Sequence, residues 1–394
     1  IHIEERKTLI NTCLRANEEK LITPFPHFAS LVENARWVLD KPERLDYINE
    51  QFLIDLVVWY HLAWIGESVR RNDLRIQELM KKGKRYSFHD RRQLMIVIGE
   101  LLHDLIPRYR RLAEQGKVEL SVTPYAHPIV PLLLDINSAQ EAMPESPLPE
   151  ITTYPGGKER SHWHMEEGLR VFESHFGFKP RGCWPSEGAV SADTLKLIQQ
   201  HDFDWAATGE NVLRNSLDLC DMVEANIHKP YKLPNTSLAC FFRDDGLSDL
   251  IGFNYPSWGA DDAVNDFIHH LLTIKSTTEE DGDRVVSIIL DGENAWEYYS
   301  YNGYYFLQAL YSRLAEHPEI ELTTFSDALK AGVRAAELPQ IVAGSWVYGS
   351  FSTWIGEPDK NHAWDLLSEA KQTFDRVIAS KPFDPDFMQA LLRQ

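Results

Sequence analysis

Residues 285–294 have the sequence Val-Val-Ser-Ile-Ile-Leu-Asp-Gly-Glu-Asn. The first six are apolar at every position but one, which is the pattern of a strand buried on both faces. Strands of this kind belong to parallel sheets that are covered by helices, and this one runs directly into an acid and a glycine. The stretch therefore predicts an α/β fold with an acidic side chain at the carboxyl end of a strand.

The rest of the chain alternates in the same way. Further short apolar runs lie at 118–122, 182–184, 203–207, 238–242 and 320–324. Most are separated by helical patterns, at 165–176, 192–200, 260–274 and 304–315. This alternation predicts a parallel sheet, open or closed, whereas 1–116 and 331–394 are predicted to be mostly helical.

Composition limits the classes of partner. The formal net charge of -19 makes nucleic acid and anionic membrane poor partners, and no apolar run is long enough to span a bilayer. The four cysteines have no paired spacing, so we predict no structural zinc site. We assign no residue to any other metal. Sparse cysteines and the lack of a visible signal peptide favour a cytoplasmic location, although the chain starts at Ile1 and not at Met. The oligomeric state is left open.

Glu187 is the first candidate catalytic residue. It follows the run Gly-Cys-Trp-Pro-Ser at 182–186, in which Pro185 should stop a short strand, and a helix is predicted to start near Ser191. Glu187 should thus lie in a turn, and the neighbouring Trp184 suits contact with a sugar ring. The alternative is a solvated loop glutamate.

Asp291 is the second candidate. Asp-Gly could simply end the strand, but Glu293 and Glu297 follow within seven residues, together with Trp296. Either glutamate could replace Asp291 as an acid, and Asp291 is favoured because it lies closest to the strand end. Two carboxyl groups are what glycoside hydrolysis needs, so we expect Glu187 and Asp291 to face each other at roughly 5–7 Å.

Two further clusters follow predicted strands. Glu119, Tyr125 and His127 lie on or just after 118–122, and His127 between two prolines should be held rigidly unless it is a core histidine. Arg243 and Asp249 follow 238–242, where an arginine–aspartate pair could instead brace the sheet.

These segments together resemble glycoside hydrolase family 57. The run 116–119 with the following Thr-Pro-Tyr and His-Pro resembles its second signature, 182–187 its third, 290–294 its fourth, and 344–356 its C-terminal region. The resemblance implies a retaining mechanism without a cofactor, with Glu187 as nucleophile and Asp291 as acid/base. The residues that we assign to substrate binding are Glu119, Tyr125, His127, Trp184, Arg243, Asp249, Glu293, Trp296, Trp346 and Trp354.

The resemblance also implies a seven-stranded (β/α) barrel. Its first signature, His-Gln-Pro on the first strand, is absent and only six strands are counted, so we expect that strand to be missing, or the chain to be a degenerate homologue. We assign 1–330 to a catalytic barrel with a helical N-terminal part. We assign 331–394 to a mostly helical region that contributes to the active cleft.

The expected activity is hydrolysis of α-glucans at α-1,4 linkages, with α-1,6 linkages as a second candidate, on an oligo- or polysaccharide substrate. The alternatives within the family are a 4-α-glucanotransferase and a branching enzyme. A metal-dependent polysaccharide deacetylase would need histidine and aspartate ligands at strand ends, whereas the paired histidines at 162–164 and 269–270 are not placed there. A non-catalytic glucan-binding protein would not need both acids.

Overall fold

The computed structural model describes residues 2–222, 226–276, 284–292, 296–380 and 384–392. Its helices are α1 (Ile3–Cys13), α2 (Pro26–Leu39), α3 (Glu50–Trp64), α4 (Glu67–Asn72), α5 (Leu74–Lys82), α6 (Phe88–Glu114), α7 (Val130–Leu134), α8 (Ala139–Ala142), α9 (Gly157–Phe176), α10 (Ala192–Gln200), α11 (Glu210–Leu219), α12 (Asp245–Asp249), α13 (Ala260–Ser276), α14 (Tyr304–Glu316), α15 (Phe325–Ala331), α16 (Pro358–Ser380) and α17 (Pro385–Leu392). Its strands are β1 (Gly182–Cys183), β2 (Trp205–Thr208), β3 (Tyr231–Lys232), β4 (Ala239–Phe242) and β5 (Ala336–Glu337).

The chain divides into two compact units. The first comprises 1–108, 246–279 and 290–322, and the second comprises 109–245, 280–289 and 323–394. The predicted division at residue 330 stays a prediction.

The first unit is helical in all of its described regular structure. Its core is formed where the apolar faces of α1, α2, α3, α5 and α6 meet, around Ile10, Phe28, Leu56, Leu62 and Ile76. Local signals set the helix ends: the Asn49 side chain accepts the first-turn N–H of Phe52, and α5 ends at Gly83 with a left-handed φ of 75°. Residues 2–116 contain no strand, as predicted.

The second unit is built on a mainly parallel sheet with the strand order β1-β2-β4-β3-β5. β1 and β4 both pair with β2 in parallel, with Cys183 opposite Ala206 and Ala206 opposite Cys240. Isolated parallel bridges extend the row at both ends, from Val122 to Cys183 and from Arg243 to Ser287. Five segments thus lie side by side in parallel and in chain order, which is the arrangement of consecutive barrel strands.

The sheet is buried on both faces because its central strands, β2 and β4, are apolar at nearly every position. Ala206, Cys240 and Phe242 pack under helices α10 and α11, whereas Trp205 and Phe241 pack on the opposite face with Val285 and Phe325. Burial on both faces is what the apolar runs predicted.

The predicted strands were placed with uneven accuracy. Runs 182–184, 203–207 and 238–242 match β1, β2 and β4, whereas 118–122 and 285–290 each contribute a single bridge. The predicted strand at 320–324 is wrong, because this segment pairs with no described part of the chain and Leu322 is 49% exposed. The two-residue strands β3 and β5 were not predicted. No helix in the described part of the chain is long and apolar enough to cross a membrane.

Candidate functional site

Glu187 lies in a strained turn just after β1. Its backbone is left-handed, with φ 55° and ψ 27°, and Gly188 after it has φ 58°. A left-handed glutamate costs roughly 1 kcal/mol or more and persists only when its surroundings enforce it. Here the Trp346 backbone N–H donates to the Glu187 carbonyl at 3.2 Å, and the Thr208 hydroxyl donates to the Gly188 carbonyl. The turn therefore holds the Glu187 side chain in one direction.

The Glu187 carboxylate is held at both oxygens. Oε1 lies 2.9 Å from His127 Nε2, and Oε2 accepts a hydrogen bond from Trp346 Nε1 at 3.1 Å. Because a carboxylate oxygen only accepts, His127 carries its proton on Nε2 in this arrangement. The Glu187 side chain remains 33% exposed and the His127 side chain 53% exposed, so a ligand in solvent can reach both.

His127 is positioned by a loop that is fastened to α9. Ala126 and His127 both have left-handed backbones, with φ 59° and 58°. The Tyr125 N–H donates to the His164 carbonyl at 2.9 Å, and the ring Nδ1 of His164 lies 2.6 Å from the Tyr125 carbonyl. Sequence reasoning placed Tyr125 and His127 among the candidates, but it considered His164 only as a possible metal ligand.

The His164 ring is itself buried. Burial, and secondarily the Arg160 cation, lowers the pKa of His164 to about 4. The ring is therefore neutral near pH 7, and because the Tyr125 carbonyl can only accept, the single N–H lies on Nδ1.

Trp346 is the aromatic centre of the site. The Trp184 ring meets it edge-on at a centroid separation of 5.3 Å, and the Arg243 guanidinium lies 5.5 Å from its ring centroid. Gly209 permits this packing, since a Cβ there would lie 2.5 Å from the Trp346 Cα. The structure thus brings Trp184, Trp346 and Arg243 together with Glu187.

Arg243 also has a bracing role. It is buried, with Nη1 donating to Asp245 at 2.7 Å and Nε donating to the Ile289 carbonyl at 2.8 Å. The arginine–aspartate pair foreseen from the sequence therefore exists, formed with Asp245. The same guanidinium faces Trp346, so bracing and site formation are combined in one side chain.

Glu119 and Trp354 lie in other surroundings. The Glu119 carboxylate accepts hydrogen bonds from Trp205 Nε1 at 2.9 Å and from the Ser326 N–H at 3.0 Å. Trp205 is the first residue of β2, so Glu119 lies at the amino ends of the strands, whereas Glu187 follows a carboxyl end. Trp354 packs in an apolar cluster with Trp364, whose Nε1 donates to the Trp354 carbonyl at 3.1 Å. The structure shows neither residue in contact with Glu187.

The remaining candidates belong to the first unit. Asp291 is exposed and Asp249 is half-buried at the end of α12, while Trp296 packs against Tyr299 at a centroid separation of 5.5 Å. Glu293 lies outside the described residues. Because Glu187 belongs to the second unit, its pairing with Asp291 stays a prediction.

The comparison with known families agrees with these motifs. The sequence model described as glycosyl hydrolase family 57 matches residues 20–342. The chain belongs to glycosyl hydrolase family 57. No curated protein matches it.

Two of the solved structures with this fold come from hyperthermophilic archaea. A family 57 branching enzyme from Pyrococcus horikoshii superposes with a TM-score of 0.58 at 17% identity, covering 96% of this chain and 76% of that chain. A family 57 branching enzyme from Thermococcus kodakaraensis, solved with glucose and additives, gives 0.53 at 15% identity, covering 94% and 74%. The predicted α/β barrel fold is therefore confirmed, and this family 57 chain is a carbohydrate-active enzyme.

No group of three or more histidine, cysteine, aspartate or glutamate side chains is placed to hold a metal ion among the residues that the structure describes.

Proposed function

We propose that this chain is a retaining glycoside hydrolase that acts on α-glucans, with Glu187 as nucleophile and Asp291 as general acid/base. The observation that carries the proposal is the placement of Glu187. It follows a parallel strand at its carboxyl end, and His127 and Trp346 hold both of its oxygens while the side chain stays accessible. Active sites of barrel enzymes lie at that end of the sheet.

The held carboxylate suits nucleophilic attack. In a retaining mechanism one carboxylate attacks the anomeric carbon, and the second group first protonates the leaving oxygen and then activates water. Each Glu187 oxygen keeps a lone pair beyond the one that accepts from His127 or Trp346. Fixing the attacking group in this way reduces the entropy cost of reaching the transition state.

The assignment of Asp291 rests on sequence. It is the first polar residue after the apolar run 285–290 and stands in the Leu-Asp-Gly-Glu-Asn motif. Glu293 and Glu297 remain the alternatives for the same role.

The substrate class follows from the family. Two solved relatives are named branching enzymes, so transfer of a glucan segment to another glucan is the second candidate. Hydrolysis and transfer share the glycosyl-enzyme step and differ in whether water or a sugar hydroxyl completes it.

Product analysis tests both proposals. The protein is incubated with maltooligosaccharides of defined length, and the products are resolved by chromatography. Shorter products alone support hydrolysis, whereas longer or branched products support transfer.

Variants of the two acids test their roles. The Glu187→Gln variant should form no product. The Asp291→Asn variant should no longer cleave natural glucans, but it should still carry out the first step on substrates with a good leaving group. Normal cleavage of starch by Asp291→Asn would move the acid role to Glu293 or Glu297.

A further inference from the structure

A cluster of tyrosines follows Trp296 in the first unit. Residues 298–305 contain five of them, with the sequence Tyr-Tyr-Ser-Tyr-Asn-Gly-Tyr-Tyr. Tyr298, Tyr301 and Tyr305 are 50%, 49% and 45% exposed. These three, together with the half-buried Tyr304, are called the tyrosine cluster below. Such a concentration of exposed rings in eight residues contributes little to the core, so its chemistry is directed at solvent.

The turn that carries Tyr301 is built on Trp296. Tyr301, Asn302 and Gly303 are all left-handed, with φ 56°, 53° and 73°. A Cβ on Gly303 would lie 2.8 Å from the Trp296 ring, so glycine allows the turn to pack directly on that indole. Arg70 fastens the turn by donating to the Asn302 side-chain oxygen at 2.7 Å. Two consecutive left-handed non-glycine residues persist only when their surroundings enforce them.

Arg71 fixes the neighbouring rings. Its guanidinium lies 4.8 Å from the Tyr304 ring centroid and 5.1 Å from that of Tyr305, and it donates to the Tyr305 hydroxyl at 2.6 Å. An ion pair with Glu67 at 2.7 Å holds the arginine. The Tyr301 and Tyr305 rings stand at 88° with centroids 5.4 Å apart. Two exposed rings are thus held at a fixed angle beside hydroxyl and guanidinium donors.

We propose that the tyrosine cluster, held by Arg71, binds sugar units of a long α-glucan other than the units that react. Ring faces pack on the C–H faces of sugars, and phenol and guanidinium groups bond to sugar hydroxyls, so this mixture fits a neutral polyol. The turn that carries Tyr301 packs on Trp296 through Gly303, and Trp296 stands five residues after Asp291. The proposal rests on the proposed function, since it makes the preferred substrate a polysaccharide and not a short oligosaccharide.

Variants of the cluster separate this role from catalysis. Tyr305→Ala removes a ring, Tyr305→Phe keeps the ring, and Tyr301→Asn removes a ring while tolerating the left-handed backbone. Tyr311→Ala is the matched control, because Tyr311 is a 62% exposed tyrosine on the same helix, α14. Binding is measured by retardation in native gels that contain amylopectin, with Glu187→Gln as the background to prevent turnover. Rates on maltotriose and on amylopectin are measured without that substitution.

Tyr305→Ala and Tyr301→Asn should each weaken amylopectin binding about three- to tenfold, while rates on maltotriose change less than about twofold. Tyr305→Phe should keep most of the binding, and Tyr311→Ala all of it. Unchanged binding in both ring-removing variants, or equal losses in Tyr311→Ala, would overturn the proposal, as would equal losses on both substrates. If the unsubstituted protein binds amylopectin through Tyr301 and Tyr305 but cleaves no glucan, the binding site stands and the proposed function fails.

Discussion

At the residue scale, Glu187 depends on two donors that come from distant parts of the chain. His127 is 60 residues away and Trp346 is 159 residues away. Each donor fixes one oxygen, so losing either lets the carboxylate rotate. Since a small misplacement of a reacting group can cost as much as 100-fold in rate, these contacts should matter more for activity than for stability.

We expect His127→Gln to lower kcat by roughly 10- to 100-fold while the urea midpoint of unfolding hardly changes. The His127 side chain is 53% exposed, so its removal leaves no cavity in the core. The exposed His103 on α6 provides the matched control, and His103→Gln should leave kcat unchanged. Similar kcat values for the two variants would show that His127 does not position Glu187.

The sequence predicted the turn around Glu187 because its signals are local: an apolar run, Pro185 and a following helix start. It also indicated that His127 is held rigidly. The bond from Trp346 was not predictable, since it depends on how residue 346 is brought back to the turn by the tertiary fold. Glu119 was grouped with Tyr125 and His127 from its place in the chain, whereas its contacts with Trp205 and Ser326 lie at the amino ends of the strands.

At the element scale, α9 fixes the loop that carries His127, and His164 provides the link. Its pKa of about 4 lies below the ordinary value of 6.5, so the unfolded chain binds more protons between these values. The contribution of His164 to the free energy of unfolding is therefore fully present above pH 6.5 and is lost as the pH falls towards 4.

Comparison with His164→Asn should isolate the pH-dependent contribution of His164 to the free energy of unfolding. The asparagine amide can donate to the Tyr125 carbonyl but does not titrate. The free energy of unfolding of the unsubstituted protein should fall by about 2 kcal/mol more than that of the variant between pH 7 and pH 4.5. Urea titrations at the two pH values give this difference. If the free energy of unfolding had the same pH dependence in the two proteins, His164 would not be the source of the difference.

Two glycines in different elements should respond oppositely to alanine. A Cβ on Gly182 in β1 would lie 1.9 Å from the Trp205 ring, so Gly182→Ala should lower the free energy of unfolding by about 1–3 kcal/mol or more. Gly99 lies inside α6 with no atom within 4 Å of such a Cβ, so Gly99→Ala should raise it by about 0.5–1 kcal/mol. Urea unfolding measures both values, and shifts of the same sign would contradict the packing described for β1.

Element prediction succeeded where burial on both faces leaves a run of apolar residues, as at 203–207 and 238–242. It missed β3 and β5 because Tyr-Lys and Ala-Glu form no apolar run, so these two strands are defined by their partners and not by their own pattern. It failed at 320–324 because the residues suit a strand, but they pair with none of the segments that the structure describes.

At the scale of the whole molecule, the two proposed catalytic acids belong to different units, Asp291 to the first and Glu187 to the second. Each unit has its own core, so the proposed pair of catalytic acids requires both units to be folded. Family membership could be predicted because the motifs occur in the right order over most of the chain.

The central claim is that Glu187 is the nucleophile of a retaining mechanism, and covalent labelling tests it most directly. A 5-fluoro-α-glucosyl fluoride carries a good leaving group, while its ring fluorine slows the second step, so a glycosyl-enzyme accumulates. Digestion and mass spectrometry then locate the sugar. We predict an adduct on Glu187, absent from Glu187→Gln. An adduct on another carboxylate, or turnover with inversion and no adduct, would contradict the claim.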